Sequence, residues 1–306
     1  MKKTKIKGVI FLLLTAFIWG LAFVAQSVGM ESVEAFTFGT VRTLMGVAAL
    51  LPVILIKDHI ASKKMTDKQL DERKLSNKKA LVYGSLLGVV FCLASSLQQQ
   101  AFNYSDAGKI AFITAIYIFF VPLLGLFFKN RVSALMWGCV AIGFVGLYFL
   151  CIDGSSMTSI NLGDILALLC AFFFAIHILL IEKFTVGTDG LKLSCVQFFV
   201  SSVLSAILMF LFESPSWSAI LAAIVPLLYA GVMSCGVAYT FQIIGQKYTD
   251  SAMASLIMCM ESVFAVVASS IMLHERMSLR ETAGCIIMFV AILLPNLVAL
   301  IQQRKK

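Results

Sequence analysis

The amino-acid sequence consists of long apolar runs that alternate with short polar or charged segments. A helix needs about 20 mostly apolar residues to cross a bilayer core of about 30 Å. Of the 306 residues, 60% are hydrophobic and only 13% are charged, an apolar excess that one soluble core cannot bury. Membrane β-strands would show short alternating segments instead of continuous runs. The sequence therefore predicts an all-α, polytopic membrane protein.

Cutting the chain wherever polar or turn-forming residues interrupt these runs predicts ten transmembrane helices. The first run has no cleavage site of the signal-peptide type and is long enough to span, so we interpret it as the first membrane helix. The predicted limits are Gly8–Ser27, Glu34–Ile56, Ala80–Gln100, Ala107–Phe128, Val132–Ile152, Leu162–Ile181, Leu193–Phe212, Trp217–Ile244, Ser251–Leu273 and Leu279–Ile301.

Basic residues occur mainly in every second connecting segment, which sets the expected orientation. Segments rich in Lys and Arg remain in the cytoplasm, so both termini are expected inside a bacterial inner or plasma membrane. We interpret the loop Lys57–Lys79, whose charge is mixed, as a solvated connector that carries this topology signal. The other basic segments are Lys2 to Lys7, Lys129-Asn130-Arg131, Lys183 with Lys192, Lys247, and Arg304-Lys305-Lys306.

The net charge of +8 does not indicate nucleic-acid binding, because the basic residues lie between apolar runs and form no basic soluble domain. The eight cysteines are scattered through apolar stretches without CxxC or metal-ligand spacing, so we expect neither a metal nor another cofactor. We also find no clustered Ser/His/Asp or His/Cys/Asp set of the kind that a membrane enzyme needs. The sequence gives no indication of oligomeric state.

The chain matches itself weakly but consistently at two offsets. An offset of 155 residues pairs Gly8 with Gly163, Phe17 with Phe172, Trp19 with Phe174, Gly20 with Ala175 and Arg42 with Gln197. An offset of 144 pairs Gln98 with Gln242 and Tyr104-Ser105-Asp106 with Tyr248-Thr249-Asp250. These matches predict two halves, residues 1–153 and 154–306, each with five spans.

An odd number of spans in each half gives the two halves opposite orientations in the membrane. Inverted repeats are typical of secondary transporters, in which the substrate site lies between the halves and is exposed alternately to each side. A channel or a membrane enzyme can also be duplicated, so the repeat alone leaves these alternatives open.

Recognisable motifs occur in both halves of the chain, in segments 16–23 (AFIWGLAF), 38–42 (FGTVR), 111–117 (AFITAIY), 163–168 (GDILAL), 174–177 (FAIH), 261–265 (ESVFA) and 274–278 (HERMS). These motifs resemble those of EamA-type members of the drug/metabolite transporter superfamily. The resemblance covers essentially the whole chain and implies a secondary carrier for small metabolites, often an exporter of amino acids or related compounds. Two positions depart from the family pattern, because Glu261-Ser262 replaces a Glu-Pro pair and Lys129-Asn130-Arg131 replaces a Gly-Glu-Arg turn.

Of the Asp, Glu, Lys, Arg and His residues, three lie well away from the ends of the predicted spans, where such groups normally face a partner or a wet cavity. Glu261 lies near the middle of the ninth span and is a candidate amine ligand or proton-coupling carboxylate; the alternative is a structural carboxylate that pairs with Arg42 or bonds to neighbouring hydroxyls. Arg42 could bind a substrate carboxylate through its guanidinium fork, but its position close to an interface favours a structural partner. His177 could titrate near neutral pH or serve as a hydrogen-bonded packing residue.

Amide and aromatic side chains complete the candidate substrate site. Gln98 is favoured over its two neighbouring glutamines because the repeat pairs it with Gln242, and amides suit a zwitterion or polar metabolite. The same cavity could be walled by Trp19, Thr114, Tyr117 and Tyr239. The sequence thus favours a carrier that moves a small-molecule substrate, with protons as a candidate coupling ion. A membrane scaffold or receptor that uses the loop Lys57–Lys79, and a membrane-embedded enzyme, remain the alternatives.

Overall fold

The computed structural model describes residues 2–63, 65–105, 107–127, 132–151, 160–272 and 278–304, and within these ranges it contains helices and no strands. The predicted turn at residues 129–131, the motif at 274–277 and the terminal residues 305 and 306 lie outside the described residues. The first-half helices are α1 (Lys2–Met30), α2 (Ala35–Ser62), α3 (Asp67–Ala101), α4 (Ala107–Thr114), α5 (Tyr117–Phe127) and α6 (Ala134–Cys151). The second half comprises α7 (Leu162–Phe184), α8 (Gly190–Phe212), α9 (Trp217–Ala222), α10 (Ile224–Leu228), a π-helix (Tyr229–Ala238), α11 (Tyr239–Gln246), α12 (Ser251–Met258), α13 (Met260–Met272) and α14 (Leu279–Arg304).

The helices are apolar enough to confirm the predicted all-α membrane architecture. Shorter apolar helices occupy Ala134–Leu150 and Ser251–Val267, and the total of ten spans stays a prediction. In the described part of the chain, seven stretches are long and apolar enough to cross a membrane: Ile6–Met30, Ala35–Ser62, Asp67–Ala101, Ala107–Phe127, Leu162–Phe184, Gly190–Phe212 and Ile224–Gln246.

The segment predicted as the loop Lys57–Lys79 is mostly helical. The second helix continues to Ser62, and the third already begins at Asp67. A capping box starts the third helix, because the Gln69 side chain accepts a hydrogen bond from the Thr66 N–H at 2.9 Å. The polar residues of this segment kept it out of the predicted apolar spans. They do not prevent helix formation, because Lys, Glu, Gln and Arg are good helix formers.

Two predicted spans are interrupted at corresponding positions. The fourth span breaks at residues 115–116, between α4 and α5, and the ninth breaks at Cys259, between α12 and α13. Cys259 lies 144 residues after Ala115, and its Sγ contacts the Ala115 carbonyl oxygen at 3.8 Å. Discontinuous helices near the middle of a membrane are typical of transporter binding sites.

The eighth predicted span is also irregular. Pro226 cannot donate a hydrogen bond to the Ala222 carbonyl, which explains why α9 ends there and α10 begins at Ile224. The following ten residues are π-helical, a rare conformation that is often found at functional sites. This π-helix packs closely on α2, because a Cβ at Gly231 would lie 2.9 Å from the Arg42 carbonyl oxygen.

Close helix contacts connect the two halves at related positions. A Cβ added at Gly8 would meet Tyr248 and Thr249, and a Cβ added at Gly163 would meet Tyr104 and Ser105. These glycines and their neighbours are the pairs that the offsets of 155 and 144 residues relate in the sequence. In addition, α2 packs along α8 and α6 packs along α14.

Candidate functional site

A central cavity lies between helices of both halves of the chain. The first half contributes side chains from α1 to α5, and the second half contributes them from α7, the π-helix, α11 and α13. The lining residues are Trp19, Ala22, Phe23, Gln26, Arg42, Gln98, Thr114, Tyr117, Phe174, Ile178, Ser234, Tyr239, Gln242 and Glu261.

One face of α1 supplies the longest continuous part of the wall. Trp19, Ala22, Phe23 and Gln26 follow the i, i+3, i+4, i+7 spacing of a single helix face. Gly20 lies beside this face and allows a very close approach to α13, because a Cβ there would lie 2.7 Å from the Glu261 carbonyl oxygen. The WG pair of the α1 motif therefore places an aromatic ring in the cavity and positions Glu261 next to it.

Arg42 provides a buried positive charge on the wall. Its Nη1 donates to Gln26 Oε1 at 2.6 Å, and its guanidinium carbon lies 5.6 Å from the centre of the Phe38 ring. The Nε atom is buried and has no hydrogen-bond partner in the described part of the chain. A buried donor without a partner is unfavourable, so this edge of the guanidinium suits a ligand acceptor.

Glu261 provides a buried carboxylate elsewhere on the wall, with 4% of its surface exposed. It lies in the first turn of α13, directly after the break at Cys259, where the helix dipole favours a negative charge. The Tyr117 hydroxyl donates to Glu261 Oε1 at 3.3 Å. Tyr117 occupies the corresponding first turn of α5, so each interrupted span contributes one of the two partners.

The structural pair between Arg42 and Glu261 that we considered from the sequence is not formed in this structure. Arg42 instead bonds to Gln26, and Glu261 accepts its hydrogen bond from Tyr117. Among the residues that the structure describes, no ion pair with an N–O distance of 4.0 Å or less includes either group. A guanidinium and a carboxyl group therefore face the same cavity without direct contact.

The remaining predicted residues around the cavity supply polar atoms and rings. Gln98 Nε2 donates to Thr114 Oγ1 at 3.4 Å, while Gln242 Oε1 is buried without a partner. The rings of Trp19 and Tyr239 lie 4.5 Å apart, and the Trp19 Nε1 donor is also unpartnered. The cavity thus combines aromatic surface with several free hydrogen-bonding atoms.

His177 is the one predicted site residue that does not reach the cavity wall. It is fully buried, and its Nε2 lies 3.1 Å from Gln197 Oε1 on α8. The rings of Phe91, Phe174 and Tyr239 surround it at centroid distances of 5.9 to 6.4 Å. The next residue, Ile178, does line the cavity, and a step of about 100° along the helix explains why His177 faces α8.

Sequence reasoning missed two polar residues of the wall, Gln26 and Ser234. Gln26 could have been found, because it is an amide inside an apolar span and follows Trp19 at i+7. Ser234 lies in the π-helix, where the usual helical spacing does not indicate which side chains share a face.

The described residues contain no group of three or more His, Cys, Asp or Glu side chains that could hold a metal ion. The cysteines among them are unbonded, and most are buried. What the cavity does offer is one cation, one carboxylate, amide groups and aromatic rings. This set suits reversible binding of a small polar molecule that carries both charges.

Comparison with known proteins assigns the family. The model of the EamA-like transporter family matches the chain twice, at residues 6–152 and 161–297. A protein of Archaeoglobus fulgidus described as an uncharacterized transporter is 28% identical over 94% of this chain and 84% of its own length. The uncharacterized transporter YoaV of Bacillus subtilis is 21% identical over 92% of this chain and 94% of its own length.

A solved crystal structure shares the fold. Its TM-score is 0.74 at 15% sequence identity, and the match covers 95% of this chain and 97% of the other. Together with the apolar helices, the two family matches bear out the resemblance seen in the sequence motifs. The chain is a multi-pass membrane protein and belongs to the EamA-like transporter family.

Proposed function

We propose that this protein is a secondary-active carrier that moves a small zwitterionic metabolite, such as an amino acid, through the central cavity. The observation that carries the proposal is the pair of buried, opposite charges on one cavity wall that make no ion pair with each other. Each buried charge is costly unless it has a partner, so a ligand with both charges would complete the site.

Each charge has a distinct role in this proposal. Arg42 binds the substrate carboxylate, because its Nε edge is free and its fork matches carboxylate geometry. Glu261 binds the substrate amine, and the Tyr117 hydroxyl holds the Glu261 side chain in place by its hydrogen bond. Trp19 and Tyr239 supply apolar surface for the substrate side chain.

The carrier is built from two inverted halves of five spans, residues 1–153 and 154–306. Two separate family matches support the duplication. The related glycine contacts and the corresponding breaks near Ala115 and Cys259 support a two-fold relation between the halves. Such a pair of halves can expose a shared cavity to one side at a time.

Two contacts at opposite ends of the α2 and α8 pair are suited to control this alternation. At one end Asp58 Oδ2 pairs with Lys192 Nζ and Arg73 Nη2, both at 2.7 Å. At the other end the Glu213 carboxylate accepts hydrogen bonds from the N–H groups of Phe36 and Thr37 at 2.7 and 2.6 Å. Glu213 lies 155 residues after Asp58, and Lys192 lies 155 residues after Thr37. The repeat therefore relates the two contacts to each other.

We place the protein in the bacterial cell membrane with both termini in the cytoplasm and expect export with proton exchange. The family resemblance supports export, and the basic segments support this orientation. Competition between a proton and the substrate amine for Glu261 would couple the two movements. A membrane enzyme or scaffold is less well supported, because the charged groups converge on an internal cavity.

Proteoliposomes that contain the purified protein test the proposal. Uptake is screened over amino acids, nucleosides and cationic drugs at two pH values. We expect saturable uptake of at least one amino acid and acceleration of that uptake by unlabelled amino acid inside the vesicles. Uptake without saturation would indicate a channel. If no compound in the screen is transported but one of them is chemically altered, the protein is an enzyme.

A further inference from the structure

A second pocket lies away from the central cavity, at the end of the molecule where Lys57 and Lys192 lie. It is a concave site between the end of α2, the turn before α8 and the end of α11. Lys57 and Lys247 line it, and Asp189 is the one carboxylate among its described lining residues. The ammonium groups therefore outnumber the carboxylates around this pocket.

The pocket contains the beginning of a long helix. The 23-residue α8 starts at Gly190, and the Asp189 side chain accepts a hydrogen bond from the Leu191 N–H at 3.0 Å. The other N–H groups of a first helical turn have no partner within their own helix. Together with the helix dipole they favour an anion at this position.

A buried hydroxyl in the same wall independently indicates a ligand. Thr188 lines the pocket and is only 5% exposed, and its Oγ1 has no hydrogen-bond partner among the residues that the structure describes. Buried hydroxyl groups are nearly always hydrogen-bonded in folded proteins. A ligand oxygen in the pocket would provide the missing partner.

The turn that carries Thr188 is also surrounded by positive charge. Lys57 Nζ lies 2.7 Å from Asp189 Oδ2, and Lys79 Nζ lies against Gly187 in the same turn. Gly187 has a φ of 69°, a left-handed conformation that a glycine adopts without strain. The backbone turn, the helix start and the ammonium groups thus surround one concave site.

Lipid-facing surface adjoins this site. Leu55 and Ile56, in the turn before Lys57, are 60% and 62% exposed, as expected for side chains that contact lipid tails. In the proposed orientation this end of the protein faces the cytoplasmic leaflet, which carries anionic lipids. A headgroup in the pocket could therefore remain attached to tails that lie along α2.

We propose that this pocket binds a phosphate ester group, namely the headgroup of an anionic phospholipid. Phosphate oxygens accept hydrogen bonds from the first turn of α8 and from Thr188 Oγ1, while Lys247 pairs with the negative charge. The phosphate chemistry follows from the pocket alone, and only the choice of a lipid over a soluble phosphate rests on the proposed orientation.

Thermal unfolding of the purified full chain in a neutral detergent tests this inference without requiring transport. Phosphatidylglycerol, phosphatidylcholine, glycerol 3-phosphate and inorganic phosphate are added separately. We expect phosphatidylglycerol to raise the unfolding midpoint by several degrees and phosphatidylcholine to leave it unchanged. A similar increase with either soluble phosphate would support the phosphate site and assign it to a soluble ligand.

Variants link the effect to the pocket. Lys247→Gln and Thr188→Val should each remove at least half of the shift that phosphatidylglycerol produces, whereas Lys68→Gln, an exposed lysine on α3, should retain it. Native mass spectrometry should show less retained phosphatidylglycerol on Lys247→Gln and Thr188→Val than on the wild type and Lys68→Gln. If Thr188→Val does not fold, the exposed Lys247 still provides the comparison with Lys68. Equal shifts in the wild type and the Lys247→Gln variant, or no shift with any phosphate compound, would overturn the proposal.

Discussion

Tyr117 donates a hydrogen bond to Glu261 at 3.3 Å, and the two residues lie 144 positions apart, the offset that also relates Gln98 to Gln242. Each residue lies in the first turn after the break in its span. Corresponding positions of a duplicated chain therefore carry different residues that bind each other. A phenol that donates and a carboxylate that accepts fit together where two identical carboxylates would repel.

The first prediction concerns the close contact between α1 and α13. Gly20→Ala would place a methyl group 2.7 Å from the Glu261 carbonyl oxygen, which is backbone and cannot move aside cheaply. We expect a destabilisation of about 1–3 kcal/mol, as for other overpacked interiors. Gly138→Ala is the matched control, because no described atom outside its own helix backbone and its chain neighbours lies within 4 Å of the added Cβ. Thermal unfolding in detergent measures both, and equal midpoints would contradict the close approach at Gly20.

The second prediction concerns the dependence of transport on pH. If a proton and the substrate amine compete for Glu261, acidification protonates more of the carboxylate and raises the apparent KM. The KM should therefore fall as the pH rises through the titration of Glu261. In Glu261→Gln the KM should be higher and independent of pH, because the amide does not titrate in this range. Wild-type pH dependence in a folded Glu261→Gln protein would exclude this coupling.

The third prediction concerns the contacts at the two ends of α2 and α8. Asp58→Asn removes two ion pairs at one end, and Glu213→Gln weakens the cap on α2 at the other. A change of about 1 kcal/mol shifts a two-state ratio about fivefold. We expect the two variants to shift the accessibility of a cysteine at position 98 in opposite directions. Labelling from each side of the membrane measures this, and shifts in the same direction would argue against opposing gates.

The fourth prediction concerns orientation. In a cysteine-free background, Lys68→Cys should react only with a reagent that reaches the cytoplasm, and Ser216→Cys should react with an impermeant reagent outside. The basic connecting segments are the reason for this assignment. External labelling at position 68 would invert the topology, and with it the side assigned to each end contact.

Apolar run length and polar residues at membrane depth were the most informative sequence signals. They predicted the membrane architecture and most of the polar residues that line the cavity, including Gln98, Tyr117 and Glu261. They could not show which way the His177 side chain points. A shift of one position along α7 decides whether a side chain faces the cavity or α8. The break at residues 115–116 has no Gly or Pro to indicate it, and the Ala115 carbonyl oxygen there contacts Cys259 Sγ of the second half.

Charge was a weaker guide to local structure. The residues of the connector Lys57–Lys79 were separated from the apolar spans because they are charged, yet most of them extend α2 and α3. The sequence also suggested a direct pair between Arg42 and Glu261, since both are ionisable residues in predicted spans. Glu261 instead bonds to the Tyr117 hydroxyl, which agrees with the alternative of a bond to a neighbouring hydroxyl, whereas the Gln26 partner of Arg42 was not predicted.

Counterflow exchange in proteoliposomes with paired substrate analogues tests the central claim most directly. The amino acid found by the screen is compared with an analogue that lacks the carboxylate and one that lacks the amine. We expect Arg42→Gln to weaken transport of the zwitterion at least tenfold and to reduce discrimination against the analogue without a carboxylate. Glu261→Gln should weaken transport of the zwitterion to a similar extent and reduce discrimination against the analogue without an amine. If both variants fold and exchange the zwitterion with wild-type KM and wild-type discrimination, the two charges of the cavity do not bind the substrate.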